Sequence, residues 1–217
     1  MLSGTGTCTI AAKQAGNTDY TAAVEKETSA AALKVGQTIS FTKAAPSTAS
    51  YNSTFAVAAD STSGLKVVFS VDAGSSGVCS LTGYTVKMLS GAGTCTIDAN
   101  QAGNADYSAA AQQQTSATAK TAAQTISFAT NAPASASKNS TFPVAAKSTS
   151  GLTVALSVDA VSTGVCSLGT PTVVSGVTSA TVTMLKGTGT CTIDANQAGN
   201  ADYSAAAQRQ TWAKATP

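Results

Sequence analysis

Gly93-Thr-Cys-Thr-Ile-Asp-Ala-Asn-Gln-Ala-Gly-Asn-Ala-Asp-Tyr-Ser-Ala-Ala-Ala-Gln112 recurs letter for letter as Gly189 to Gln208, and a looser copy runs from Gly6 to Val24. Three copies of one segment make this a tandem-repeat chain. Within the segment, Cys95, Ile97 and Ala99 alternate with Thr94, Thr96 and Asp98, the period of a strand with one buried face. A Gly/Asn/Asp cluster, Gln101-Ala-Gly-Asn-Ala-Asp106, then breaks the pattern as a turn.

The same alternation extends outward on both sides. Thr38-Ile-Ser-Phe41 is a short strand ended by Pro46, and Phe55-Ala-Val-Ala-Ala59 a second. Leu65, Val67, Phe69 and Val71 alternate with polar residues as a third. Val78 to Leu81 and Tyr84 to Met88 flank a turn at Thr82-Gly83, Thr94 to Ala99 is the sixth, and Gln112 to Thr118 the seventh. Short period-two segments separated by Gly, Pro, Asn and Ser clusters indicate a β-sandwich. Gln124-Thr-Ile-Ser-Phe128 restarts the plan, with Leu152, Val154, Leu156 and Val158 matching the third strand. The second copy carries extra residues within Gly169 to Thr183, where a longer hairpin is expected. Pro143 stands where the first copy has Ala56, which predicts that this strand starts late or is exposed there. The divisions are therefore residues 1–36, the end of a repeat; 37–123, a full repeat; and 124–217, a second. Two strands alone bury too little surface for stability, so residues 1–36 are expected to fray or to borrow strands from a neighbour.

Composition narrows the function. In 217 residues the hydrophobic fraction is 43%, enough for real cores, while charged residues are 10% and the net charge is +2. That balance offers no electrostatic footprint for nucleic acid or anionic lipid, and no apolar run is long enough to span a membrane. The chain opens inside a repeat, since Met1-Leu-Ser-Gly-Thr-Gly-Thr7 matches Met88-Leu-Ser-Gly-Ala-Gly-Thr94 and Met184-Leu-Lys-Gly-Thr-Gly-Thr190. No secretory signal is visible near Met1, so an export signal is expected upstream.

Five cysteines and no histidine are present. Cys79 and Cys95 fall in one repeat, and Cys166 and Cys191 hold the matching places in the next. Cys8 matches Cys95, and its counterpart would precede Met1, which leaves Cys8 unpaired. One pair per repeat reads as disulfides and an oxidising compartment, with buried free thiols as the alternative. Zinc is weaker, because CxxC spacing and histidine are both missing.

Together the motifs Gln-Thr-Ile-Ser-Phe, Ser-Thr-Ser-Gly-Leu, Val-Cys-Ser-Leu and Gly-Thr-Cys-Thr-Ile followed by Gln-Ala-Gly-Asn-Ala-Asp-Tyr cover nearly the whole chain. In these the chain resembles the bacterial Ig-like domain repeats of large secreted or surface-attached proteins. The resemblance implies tandem seven-stranded Ig-like sandwiches and a role as stalk or spacer in adhesin-like proteins. It is not to antibody-type domains, whose disulfide joins the second and sixth strands over a Trp on the third. Here Phe69 or Leu156 stands on the third strand, and the one Trp, Trp212, falls in the tail. Tyr107 and Tyr203 are expected to pack over the last turn.

Chemistry is poorly provided for. A nucleophile activated by histidine cannot be assembled. Carboxylate catalysis would need Asp72, Asp98 or Asp106, and Asp98 is replaced by Ala11 in the first copy. A calcium set from Asp98, Asn100, Asn104 and Asp106 lacks the usual loop spacing and loses two members in that copy, while turn formation alone explains Asn and Asp beside Gly103. Asn52 and Asn139 fit the glycosylation acceptor pattern and also occupy matching turn positions. The expectation is a module without catalytic residues or a required cofactor, whose partners are neighbouring repeats, a surface glycan or protein, or another copy through residues 1–36.

Overall fold

The structure, a computed structural model, describes all 217 residues. The chain is all-β, with tandem Ig-like sandwiches as its architecture, and no helix is long and apolar enough to cross a membrane. It divides into two compact units. The first holds Met1–Ala49, Ser53–Met88 and Thr94–Thr118; the second holds Ser50–Asn52, Leu89–Gly93 and Ala119–Pro217.

The first unit begins with β1 (Thr7–Ala12) and β2 (Lys26–Ala31), paired antiparallel from Thr7↔Ala31 to Ala12↔Lys26 and exposed along their whole length. Then follow β3 (Ile39–Lys43), β4 (Thr48–Ser50), β5 (Thr54–Ala56), β6 (Ala58–Ser61), β7 (Val68–Val71), β8 (Cys79–Thr82), β9 (Thr85–Met88), β10 (Thr94–Asn100) and β11 (Gln113–Lys120). One layer has the order β4-β11-β10-β7. The facing layer is made of β5-β9-β8 and the separate pair β3-β6. Cys95, Ile97 and Ala99 are wholly buried on β10, as the alternation requires, together with Val86 and Met88 of β9.

The second unit repeats the plan with β12 (Ile126–Thr130), β13 (Ser135–Ser137), β14 (Thr141–Ser148), β15 (Ala155–Val158), β16 (Cys166–Leu168), β17 (Thr172–Val174), β18 (Val177–Met184), β19 (Thr190–Asn196) and β20 (Arg209–Thr216). One sheet is β12-β14-β18-β16 with β17 beside β18; the other is β13-β20-β19-β15. The first strand of the sandwich is thus split. Its start, β12, pairs antiparallel with β14, and its continuation, β13, crosses to the other sheet to pair parallel with β20. The core between the sheets is aliphatic, with Val144, Val182, Met184 and Ile193 fully buried.

Several local expectations change. The strand read over Phe55–Ala59 breaks at Val57, whose N–H turns to Tyr84 O at 3.0 Å. The third strand starts at Val68 instead of Leu65, because Ser61 Oγ donates to Leu65 O at 2.7 Å and holds that residue in a turn. Pro143 lies inside β14, opposite Thr181, so the strand does not start late, and the residue is exposed, the other arm of the expectation. The ladder of β12 stops at Ala145, so Pro143 falls beyond its end, where a missing N–H is tolerated. Trp212 is not in a tail but on β20, opposite Thr192 and more than half exposed. The extra residues of Gly169–Thr183 do form a longer hairpin, β17 against β18.

Candidate functional site

The segment that recurs three times folds into one turn with one set of bonds. Asn17 Oδ1 accepts the N–H groups of Asp19 and Tyr20, both at 2.9 Å. Asn104 Oδ1 does the same for Asp106 and Tyr107, and Asn200 Oδ1 for Asp202 and Tyr203, all within 2.8–2.9 Å. This is the Asx-type turn that Asn favours. The glycine before it has φ of +75°, +76° or +80° at Gly16, Gly103 and Gly199. A Cβ there would lie 2.5 Å or less from the carbonyl oxygen of Tyr20, Tyr107 or Tyr203, so only glycine fits.

With its backbone fixed by Asn, the turn aims its aspartate outward. In the first unit Asp106 Oδ1 accepts the N–H of Gly4 at 2.9 Å, and Val35 forms a parallel bridge with Tyr107. Val35 N–H also donates to Asp106 O at 2.8 Å, and Ser108 N–H to Val35 O at 2.9 Å. In the second unit Asp202 Oδ1 accepts the N–H of Gly91, again at 2.9 Å, and Ala122 bridges Tyr203. Gly4 and Gly91 both belong to the Met-Leu-Ser-Gly motif. A Cβ on either would come within 2.8 Å of the aspartate's own backbone, which accounts for glycine at both places. The Tyr203 ring meets Tyr51 edge-on at 5.3 Å. In the sequence these aspartates read only as turn formers, and the fastening has no local pattern. The available signal was their persistence in all three copies while Asp98 was replaced.

Behind the turn lies a polar clamp. Gln37, almost fully buried, donates through Nε2 to Gln101 Oε1 and to Ser108 O, while its Oε1 accepts from Ser63 Oγ. Gln101 Oε1 also accepts the Gly103 N–H at 2.6 Å. Gln124, Gln197, Ser204, Ser150 and Gly199 repeat the set in the second unit. The motifs that carry the resemblance, Gln-Thr-Ile-Ser-Phe, Ser-Thr-Ser-Gly-Leu and Gln-Ala-Gly-Asn-Ala-Asp-Tyr, thereby meet at one amide.

At the other end of the sixth strand, Cys79 is bonded to Cys95 and Cys166 to Cys191. Each bridge is buried and joins strands of opposite sheets, β8 to β10 and β16 to β19. Cys8 is free and exposed. Asp72 and Asp159 cap short 3-10 turns, accepting from Gly74 and Val161 N–H at 2.9 and 3.0 Å. Asp98 is buried and takes Gln114 Nε2 at 2.7 Å. The oxygens weighed as a calcium set thus point to separate partners: Asp98 to Gln114, Asn104 to its own turn, Asp106 to Gly4. No three His, Cys, Asp or Glu side chains gather anywhere in the chain. Asn52 and Asn139 are exposed and hold φ of +63° and +67°, the left-handed conformation of a turn residue.

No family model matches the chain, and no curated protein matches it in sequence. Among solved structures it is similar to domains 1–6 of the surface layer protein SbsC, at 12% identity and a TM-score of 0.35, with all of this chain covered. The chain spans 36% of the length of that structure. It is also similar to a chimeric titin Z1Z2 carrying an exogenous KLER peptide from decorin, at 14% identity and a TM-score of 0.27 over 83% of this chain and 96% of that one. A chimeric titin Z1Z2-Z1Z2 tandem with a GRGDS peptide from fibronectin gives 15% identity and a TM-score of 0.28, over 82% and 98%. The strand order, not these loose likenesses, carries the fold.

Proposed function

We propose that the chain is a non-catalytic structural module, a run of Ig-like repeats serving as stalk or spacer in an adhesin-like protein on the bacterial cell surface. The domains of this reading are residues 37–123 and 124–217, each a repeat, with 1–36 the end of a third. The observation that carries it is the repeated fastening of the acidic turn to a Met-Leu-Ser-Gly loop, Asp106 to Gly4 and Asp202 to Gly91, each at 2.9 Å. The same carboxylate holds the same backbone N–H in each unit, so the recurring aspartate serves structure in both copies. The two buried disulfides support an oxidising, extracellular setting.

The test is amide hydrogen exchange on the full chain and on Asp106→Ala. Loss of the carboxylate should speed exchange at Gly4 by about tenfold or more, since a bond to a charged acceptor holds it closed, whereas Val35 donates to the backbone oxygen of Asp106, which the substitution keeps. Exchange elsewhere in β3–β11 should stay as it is. Unchanged exchange at Gly4 would show that the carboxylate does not hold this loop. A glycan- or cell-binding signal from the chain would favour instead a ligand-binding module.

A further inference from the structure

The two full repeats differ in the length of one hairpin, and the difference leaves a strand edge open. In the second unit β14 pairs along its length with β18, and the pairs Ala145↔Ser179, Ala146↔Thr178 and Lys147↔Val177 come from the longer hairpin. In the first unit the corresponding β9 reaches only Ala56↔Thr85, with Val57 N–H held by Tyr84 O. Beyond that point β6 has β3 on one side and no strand on the other. Because backbone groups alternate along a strand, Ala59 turns its N–H and C=O, and Ser61 its N–H, to the same side as Val57, the open side, while Ser61 O accepts Gly64 N–H at 3.0 Å.

Burial tells the same story. Ala145 and Ala146 are 8% and 0% exposed, while their counterparts Ala58 and Ala59 are only half-buried. Leu156 is buried and its counterpart Phe69 is not. The space beside β6 is a depression of about 310 Å³ floored by Ala58, Ala59 and Phe69 and flanked by Asp60, Lys66 and Tyr84. Tyr84 leans edge-on against Phe69 at 5.9 Å and remains 53% exposed. It covers the slot in part, where the second unit has a continuous strand.

We propose that this slot is a docking site for an extended segment of a partner protein, which adds as an antiparallel strand to Ala58–Ser61. The second unit shows what fits: small and β-branched residues, Val177-Thr178-Ser179, with Thr178 only 1% exposed at the centre. Such strand addition draws affinity from main-chain bonds and selectivity from alternate side chains. Asp60 and Lys66 at the rim favour a segment with no strong charge of either sign. The inference does not depend on the stalk reading, since the slot follows from the short β9 alone.

The probe is a capped synthetic peptide of sequence Val177–Val182, titrated into the full chain with amide chemical shifts as readout. Saturable shifts centred on Ala58–Ser61, Phe69 and Tyr84, with slowed exchange at Ala59, are expected. The peptide carrying Thr178→Pro lacks the central ladder donor, and Ala59→Pro on the protein removes its counterpart. Each should weaken binding about tenfold or more, the equivalent of one or two bonds lost. A chain in which Gly169–Ala180 replaces Thr82–Tyr84 carries its own strand there and should not bind. No saturable shift at Ala58–Ser61, or equal binding by the proline peptide, would overturn the proposal. The same shifts on raising protein concentration alone, with faster sedimentation, would overturn the partner assignment, since a second copy would then be the occupant.

Discussion

Gln37 and Gln124 show how far a single side chain organises this molecule. An amide has two donor hydrogens and one carbonyl, and each of these three functions is used, in both units, on a different segment of chain. Truncation takes the side-chain donor from Ser108 O and leaves Gln101 Oε1 with Gly103 N–H alone and Ser63 Oγ with Ser61 and Leu65, so three segments lose their shared partner. Gln37→Ala and Gln124→Ala should each cost about 1–3 kcal/mol, seen as a lower denaturant midpoint with an unchanged slope. Thr178 is the opposite case. Its Oγ1 is buried without a hydrogen-bond partner, so Thr178→Val, which keeps the shape, should raise stability by about 1 kcal/mol in the same denaturation measurement. Neither effect is visible in the sequence. A glutamine at a strand start looks like an ordinary solvated residue, and a threonine in a strand looks like a surface one.

The strands were largely legible because their signal is local. Cys95, Ile97 and Ala99 alternate on β10, Val86 and Met88 on β9, and the structure buries all five completely. What stayed hidden was non-local or short. β4 and β13 are three-residue pieces of Thr, Ala and Ser without a pattern, and they exist because the partner strands β11 and β20 offer an open edge. The break at Val57 depends on how short β9 is, which no reading of Phe55–Ala59 alone reveals. Asn104 and Asp106 read as turn formers, but the reach from Asp106 to Gly4 crosses 102 positions and leaves no local pattern. At this scale the bridges make the firmest prediction. They close loops of sequence separation 16 and 25. In the chain-entropy model each contributes about 3 kcal/mol. Removing one by a paired Cys79→Ala/Cys95→Ala change should lower stability by about that amount, measured by calorimetry against the parent chain. An equal melt with and without the bridge would show that the aliphatic core suffices.

At the scale of the whole molecule, the proposed spacer role makes the ends of each repeat the points where force would enter. In the second unit β13, near the start of the repeat, runs parallel to β20 at its end, with Ser135↔Lys214, Ala136↔Ala215 and Ser137↔Thr216 side by side. Tension on the two ends draws these strands past each other and loads the three pairs together. The most direct test of a load-bearing repeat is single-molecule extension of the full chain with and without reductant. We expect one separate unfolding event for each full repeat. Intact bridges should hide about 53–58 Å of chain in one event and about 83–90 Å in the other, at 3.3–3.6 Å per residue over 16 and 25 residues, and reduction should release both lengths. A single rupture for both repeats, or step lengths that do not change on reduction, would contradict it.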